Sequence, residues 1–131
     1  MNLSITLIIV IITVVISLYA SENYSIKNKF LLNPYNVFHH KEYYRIISHA
    51  FIHADFIHLG VNMYVFYSFG SMLEYTFLEI FGTIGTVYYI VLYIGGVIFA
   101  SLLSLNKHKD NPNYNSLGAS GAVSAVLFSY V

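Results

Sequence analysis

Cysteine is absent from this chain, which excludes a disulfide framework, a thiolate metal site and a cysteine nucleophile. Charge is scarce as well. Only 9% of the residues are charged, against about 25% in ordinary soluble domains. Six basic residues balance six acidic ones, so there is no basic patch to hold phosphates, and no nucleic-acid partner is expected. In their place stand apolar side chains, 57% of the chain, which is the composition of a multi-pass integral membrane protein. At 131 residues it makes one domain at most. Its last residue, Val131, stands inside the apolar run "GAVSAVLFSYV", so the chain reads as cut short.

The hydrophobic runs divide it into spans. "LSITLIIVIITVVISLYA", residues 3–20, is uncharged and just long enough to cross a hydrocarbon core of roughly 30 Å. A secretory signal peptide is the rival reading. It is disfavoured because no Lys or Arg precedes the run and the cleavage site near Ala20 is poor. Residues 21–48 form a connection too long to be structureless, so an ordered element is expected there. Further spans are expected at about 56–77 and 80–105, an antiparallel pair joined by a short turn near Glu74 and Glu79. The polar, turn-rich "NKHKDNPNYN" at 106–115 follows, and a fourth, incomplete span starts at 116 and runs to 131. The fold class is therefore an all-α, polytopic transmembrane bundle. All six Lys and Arg lie in the first and third connections, and charge alone would place that side in the cytoplasm.

"HAFIHADFIHLGVN", residues 49–62, carries polar groups into this apolar setting. On a helix His58 and Asn62 share a face, whereas His53 lies five residues before His58, about 140° around the axis. His53 is thus expected on the bend entering the second span. Imidazoles and an amide at membrane depth should face a protein interior or a wet cavity. Three readings stay open from the residues alone: hydrogen bonding between helices, a metal or haem site using His49 and His53, and catalysis. The metal reading is weakened by the lack of Cys and of any nearby carboxylate but Asp55, and no cofactor is implied. "GASG", residues 118–121, opens the fourth span. Gly121, Ala125 and Ser129 form a small-residue stripe that admits a neighbouring helix, and Gly118 and Gly121 leave the backbone beside Ser120 open. A serine nucleophile needs a base, and the developing oxyanion needs donors of the kind that His, Asn and backbone N–H groups supply.

Taken together, "EYYRIISHAFIHADFIHLGVNMYVFYSFGSMLE" (42–74) and "SLGASGA" (116–122) resemble the rhomboid family of intramembrane serine proteases. The resemblance implies a six-span bundle, of which about three and a half spans are present. It implies an endopeptidase that cleaves single-span membrane proteins near the bilayer surface, in a plasma or inner membrane. Ser120 would be the nucleophile. His53 and Asn62, with the Ser120 N–H, would form the oxyanion hole, His58 would be a supporting interior histidine, and Gly118 would shape the hole. Arg45 would tie down the first connection, His49 would be structural, and Glu74 would bond near the far end of the second and third spans. Against the charge rule, the family's layout puts the first and third connections outside the cytoplasm, and that orientation is preferred here. Ser124 and Ala125 depart from the aromatic residue and glycine usual in the family. Its general base is a histidine on a sixth span, so this chain alone is expected to be inactive. The alternative is a non-catalytic rhomboid-like protein that binds transmembrane helices.

Overall fold

The computed structural model describes residues 3–131, of which Leu3 and Ser4 precede the first helix. Seven α-helices follow one another, with no strand among the described residues. The first, α1 (Ile5–Glu22), is capped by the Ser4 hydroxyl, which accepts the Leu7 N–H. The first connection is ordered, holding α2 (Tyr24–Phe30), α3 (Pro34–His39) and α4 (Arg45–Ser48). Asn23 and Asn33 cap α2 and α3 with their side-chain oxygens, and Pro34 fills the first turn of α3, where its missing N–H costs nothing.

Two long helices form the centre, α5 (Phe56–Phe81) and α6 (Gly85–His108). Asp55 caps α5 by accepting the His58 N–H. The expected end of this span at 77 falls one turn short of the observed one. Tyr75 donates to Glu79 at i+4, and the helix stops only where Gly82 takes a positive φ of 63°. The last helix, α7 (Ser120–Tyr130), starts four residues after the expected boundary at 116, because residues 116–119 are held extended and turned by the first connection.

The outside of the bundle is as apolar as its inside. Ile11, Val15, Tyr64, Val91, Phe99 and Leu103 point outward, while Thr6, Thr13 and Ser17 of α1 are buried beside an apolar core that includes Leu59, Phe66 and Leu73 of α5 and Tyr89 of α6. Where lipid is as apolar as leucine, burying aliphatic groups gives no drive between helices, and polar bonds and close packing hold them together. Both devices are present. Gly96 of α6 faces Ala122 and Ala125 of α7, and Gly121 of α7 faces Ala100 of α6, so any side chain larger than hydrogen at either glycine would meet the opposite helix. The expected stripe is thus in contact at Gly121 and Ala125, while Ser129 is exposed. Glu74 lies buried on α5 and accepts from Ser4 Oγ, from the Ile5 and Thr6 N–H groups and from Thr6 Oγ1. Its partners are on the first span, because the orphan N–H groups of the α1 N-terminus are the strongest acceptor-seeking groups within reach. The third span joins through the Tyr89 hydroxyl, 2.7 Å from Thr6 Oγ1.

Candidate active site

The site is assembled at the opposite end of the bundle from Glu74, where the first connection meets the start of α7. Arg45 anchors that connection. Its buried guanidinium donates to the Asn28 and Leu31 carbonyls at 2.8 and 2.9 Å and pairs with Glu42. Five acceptor-directed N–H groups in a fixed fork suit such a task. One turn on, buried His49 donates Nδ1–H to the Arg45 carbonyl. Burial keeps its imidazole below the ordinary value, opposed by that backbone bond and one from Ile46.

The connection before α7 is laced to this platform. Leu32 and Ser116 exchange two backbone bonds of 2.9 and 3.0 Å, and Asn33 Nδ2 donates to the Pro112 carbonyl and to Asn115 Oδ1. Gly118 donates its N–H to the His49 carbonyl at 2.9 Å. Its φ of 108° is one that side-chain-bearing residues rarely adopt, so glycine is needed to turn the chain from this extended stretch into α7. Ala119, next in line, donates its N–H to His53 Nε2 at 3.3 Å.

Ser120 follows as the first residue of α7, with its side chain exposed and no hydrogen bond to its hydroxyl among the described residues. The first backbone N–H of α7 to find an intrahelical partner is that of Val123, on the Ala119 carbonyl. Among the described residues those of Ser120, Gly121 and Ala122 have no backbone acceptor, and the exposed Ser120 stands at the positive end of the helix dipole.

Two assignments need correction. His53 sits on the bend entering α5 and is buried, but both of its ring nitrogens are engaged. Ser17 Oγ donates its single proton to the Phe51 carbonyl, so at the His53 Nδ1, 3.1 Å away, it can only accept. Nδ1 thus carries the proton, and Nε2 is the lone pair that receives the Ala119 N–H. Such a ring offers no N–H to an oxyanion. His58, expected in the interior, has a side chain 68% exposed and donates Nδ1–H to Asp55 Oδ2 at 2.7 Å. Bonds from the His58 N–H and then from its ring hold the Asp55 carboxyl below the usual range. The α5 cap accounts for this placement, since an aspartate reaching its i+3 N–H also meets the i+3 side chain. Asn62, one turn further on the same face, is half-buried and donates one N–H to the His58 carbonyl, which leaves the other free.

The structure therefore ties the Gly118–Ala119 turn, which leads into Ser120, to His49 and His53; His58 and Asn62 stand on the first two turns of α5, and Arg45 bonds the His49 ring through its carbonyl. The sequence reading missed Ser17. The signal for it was there, as Thr6, Thr13 and Ser17 put hydroxyls on one side of an otherwise aliphatic run. Among the described residues no three His, Asp or Glu side chains gather into a metal site.

Known proteins similar to this chain point one way. The mitochondrial rhomboid protein 1 of Saccharomyces cerevisiae is 39% identical over 94 residues, covering 66% of this chain and 24% of that protein. The chain thus spans about a quarter of the relative's length. No solved structure matches. The family model described as Rhomboid domain matches residues 40–131, a stretch that runs from the Arg45 anchor through His53 and Asn62 to Ser120, and with that match the chain belongs to the rhomboid family.

Proposed function

We propose that the protein is an intramembrane serine endopeptidase with Ser120 as its nucleophile. One observation carries the proposal: an exposed serine opens α7 beside N–H groups that have no backbone acceptor among the described residues, on a turn clamped by the first connection through the His49 carbonyl and His53 Nε2. Ser120 Oγ would attack a peptide carbonyl. The oxyanion would be received by the Ser120 N–H and by the free N–H of Asn62 Nδ2, while His58, whose ring gives its Nδ1 proton to Asp55, keeps Nε2 as a lone pair. His53 leaves that set and supports the turn instead. Only an extended backbone can reach a hydroxyl placed at a helix start, so substrates are transmembrane segments that unwind near the bilayer surface.

A base is also required. None of the six histidines bonds to Ser120: His39 meets Asp110, His40 meets Asn36, His108 stacks on Tyr114, and His49, His53 and His58 are engaged as described. In this proposal the base comes from outside these 131 residues, so the chain alone has little activity, as triads stripped of one member do. The test is fluorophosphonate labelling of the chain and of the longest natural form of the protein, each beside Ser120→Ala. Labelling of the longer form that disappears in Ser120→Ala supports the protease. Absence of labelling in both forms shifts the reading to a non-catalytic protein that binds transmembrane helices.

A further inference from the structure

The His53 ring links three parts of the molecule. Its Nδ1–H points to Ser17 of α1, its Nε2 lone pair receives the Ala119 N–H, and the backbone two residues earlier, at Phe51, receives the Ser17 proton. Only one tautomer fits this chain of bonds. A proton added to Nε2 would remove the acceptor and set two N–H groups against each other. We propose that His53 is a positioning residue whose Nε2 lone pair, aimed by Ser17, holds the Gly118–Ala119 turn, and that protonation of His53 releases this turn and so misplaces Ser120.

The proton has a route. A pocket of about 190 Å³ opens between α1 and the start of α5, with His53, Ser17, Ser21, Asp55 and Phe56 on its walls. The titratable groups around the ring are Asp55 and His58 at the start of α5 and His49 on the preceding turn. From α1 come the hydroxyls of Ser17 and Ser21, and the first turn of α7 carries no titratable side chain. Burial pushes the His53 imidazole below its ordinary value, and the charge of His58 adds to this. The released state therefore belongs to mildly acidic conditions, and the held state to neutral ones.

The effect on Ser120 reactivity rests on the proposed nucleophile, but the latch itself can be measured without it. In the 131-residue chain labelled with ¹⁵N at His and Ala, NMR in detergent should show the Nδ1–H tautomer of His53 at neutral pH. Relative to intrinsic exchange, protection of the Ala119 amide should fall at least tenfold as His53 titrates. In His53→Gln, whose side-chain oxygen accepts without titrating, protection should no longer depend on pH, while the Val123 amide should stay protected throughout. An Nε2–H tautomer, or Ala119 protection that ignores the titration of His53, would overturn the latch. In the longest natural form, the ratio of wild-type to His53→Gln labelling at Ser120 should fall about tenfold over the same titration. An unchanged ratio refutes the link to Ser120. Failure of both proteins to label at any pH, with the NMR result intact, refutes the nucleophile and leaves the latch standing.

Discussion

Replacing Glu74 by alanine tests the principle on which the bundle stands, that polar bonds rather than aliphatic burial join its spans. The carboxylate accepts four bonds of 2.7–3.0 Å, two from the first backbone N–H groups of α1 and two from hydroxyls. In Glu74→Ala the hydroxyls of Ser4 and Thr6 can turn to other acceptors. The Ile5 and Thr6 amides cannot, since a helix start has no carbonyl behind it. A stranded buried amide costs about 1–3 kcal/mol, and side-chain bonds inside membrane bundles average about 0.6 kcal/mol. Between these limits the expected loss is about 2–4 kcal/mol, and Glu74→Gln, which keeps one acceptor oxygen, should lose about half of that. Unfolding of the detergent-solubilised chain by SDS, followed by circular dichroism, measures it. Glu79→Ala is the control, because among the described residues Glu79 bonds only the Tyr75 hydroxyl on its own helix and should leave the curve where it was. A Glu74→Ala curve within about 0.5 kcal/mol of wild type, the range of neutral surface changes, would refute the argument.

Gly121→Val places methyl groups where Ala100 of α6 already stands, and should cost about 1–3 kcal/mol in the same SDS titration, as overpacked interiors do. Arg45→Lys keeps the charge but cannot span the Asn28 and Leu31 carbonyls and Glu42 together, so limited proteolysis should cut the connection between 23 and 44 several-fold faster, with the spans intact. Asn62→Ala should lower fluorophosphonate labelling of the longest natural form about 10²- to 10³-fold, the usual loss for an oxyanion donor, while its SDS curve stays unchanged. His49 and His53 are both held below the ordinary imidazole value of about 6.5, so the unfolded chain binds more protons as pH falls below that value. Stability should be fully present above about pH 6.5 and decline between there and the lower folded values, a shift that SDS midpoints at pH 8 and pH 5 would read. A flat midpoint would show that neither imidazole is buried neutral.

Composition and run lengths made the all-helical membrane bundle legible, because lipid allows few other solutions and twenty apolar residues announce themselves. The paired segments 42–74 and 116–122 pointed to Ser120, the residue at which α7 opens. Which histidine does what was not legible. His53 and His58 have the same chemistry, and their roles differ only through neighbours far away in sequence: Ser17 and Ala119 for one, and the cap Asp55 for the other. Periodicity tells which residues share a helix face, and it correctly set His53 on a bend. It cannot tell that a serine 36 residues earlier fixes that ring's tautomer. The end of α5 was missed for a similar reason, as a glycine able to take positive φ decided the stop inside a still apolar stretch.

These long-range bonds give α1 a role that its aliphatic sequence conceals. Near one end Thr6 joins it to Glu74 and Tyr89, and near the other Ser17 joins it to Phe51 and His53. Eleven residues of helix separate the two, about 16 Å of rise, so the first helix acts as a strut with polar fastenings toward either end of the bundle. The two fastenings do different work. The Glu74 end holds the helix in the bundle, where a loss would show as stability. The Ser17 end holds the ring that receives the Ala119 N–H, one residue before Ser120, where a loss would show as reactivity before the fold is lost. A span that contributes no group of its own to the proposed catalytic set would in this way still determine where the nucleophile stands.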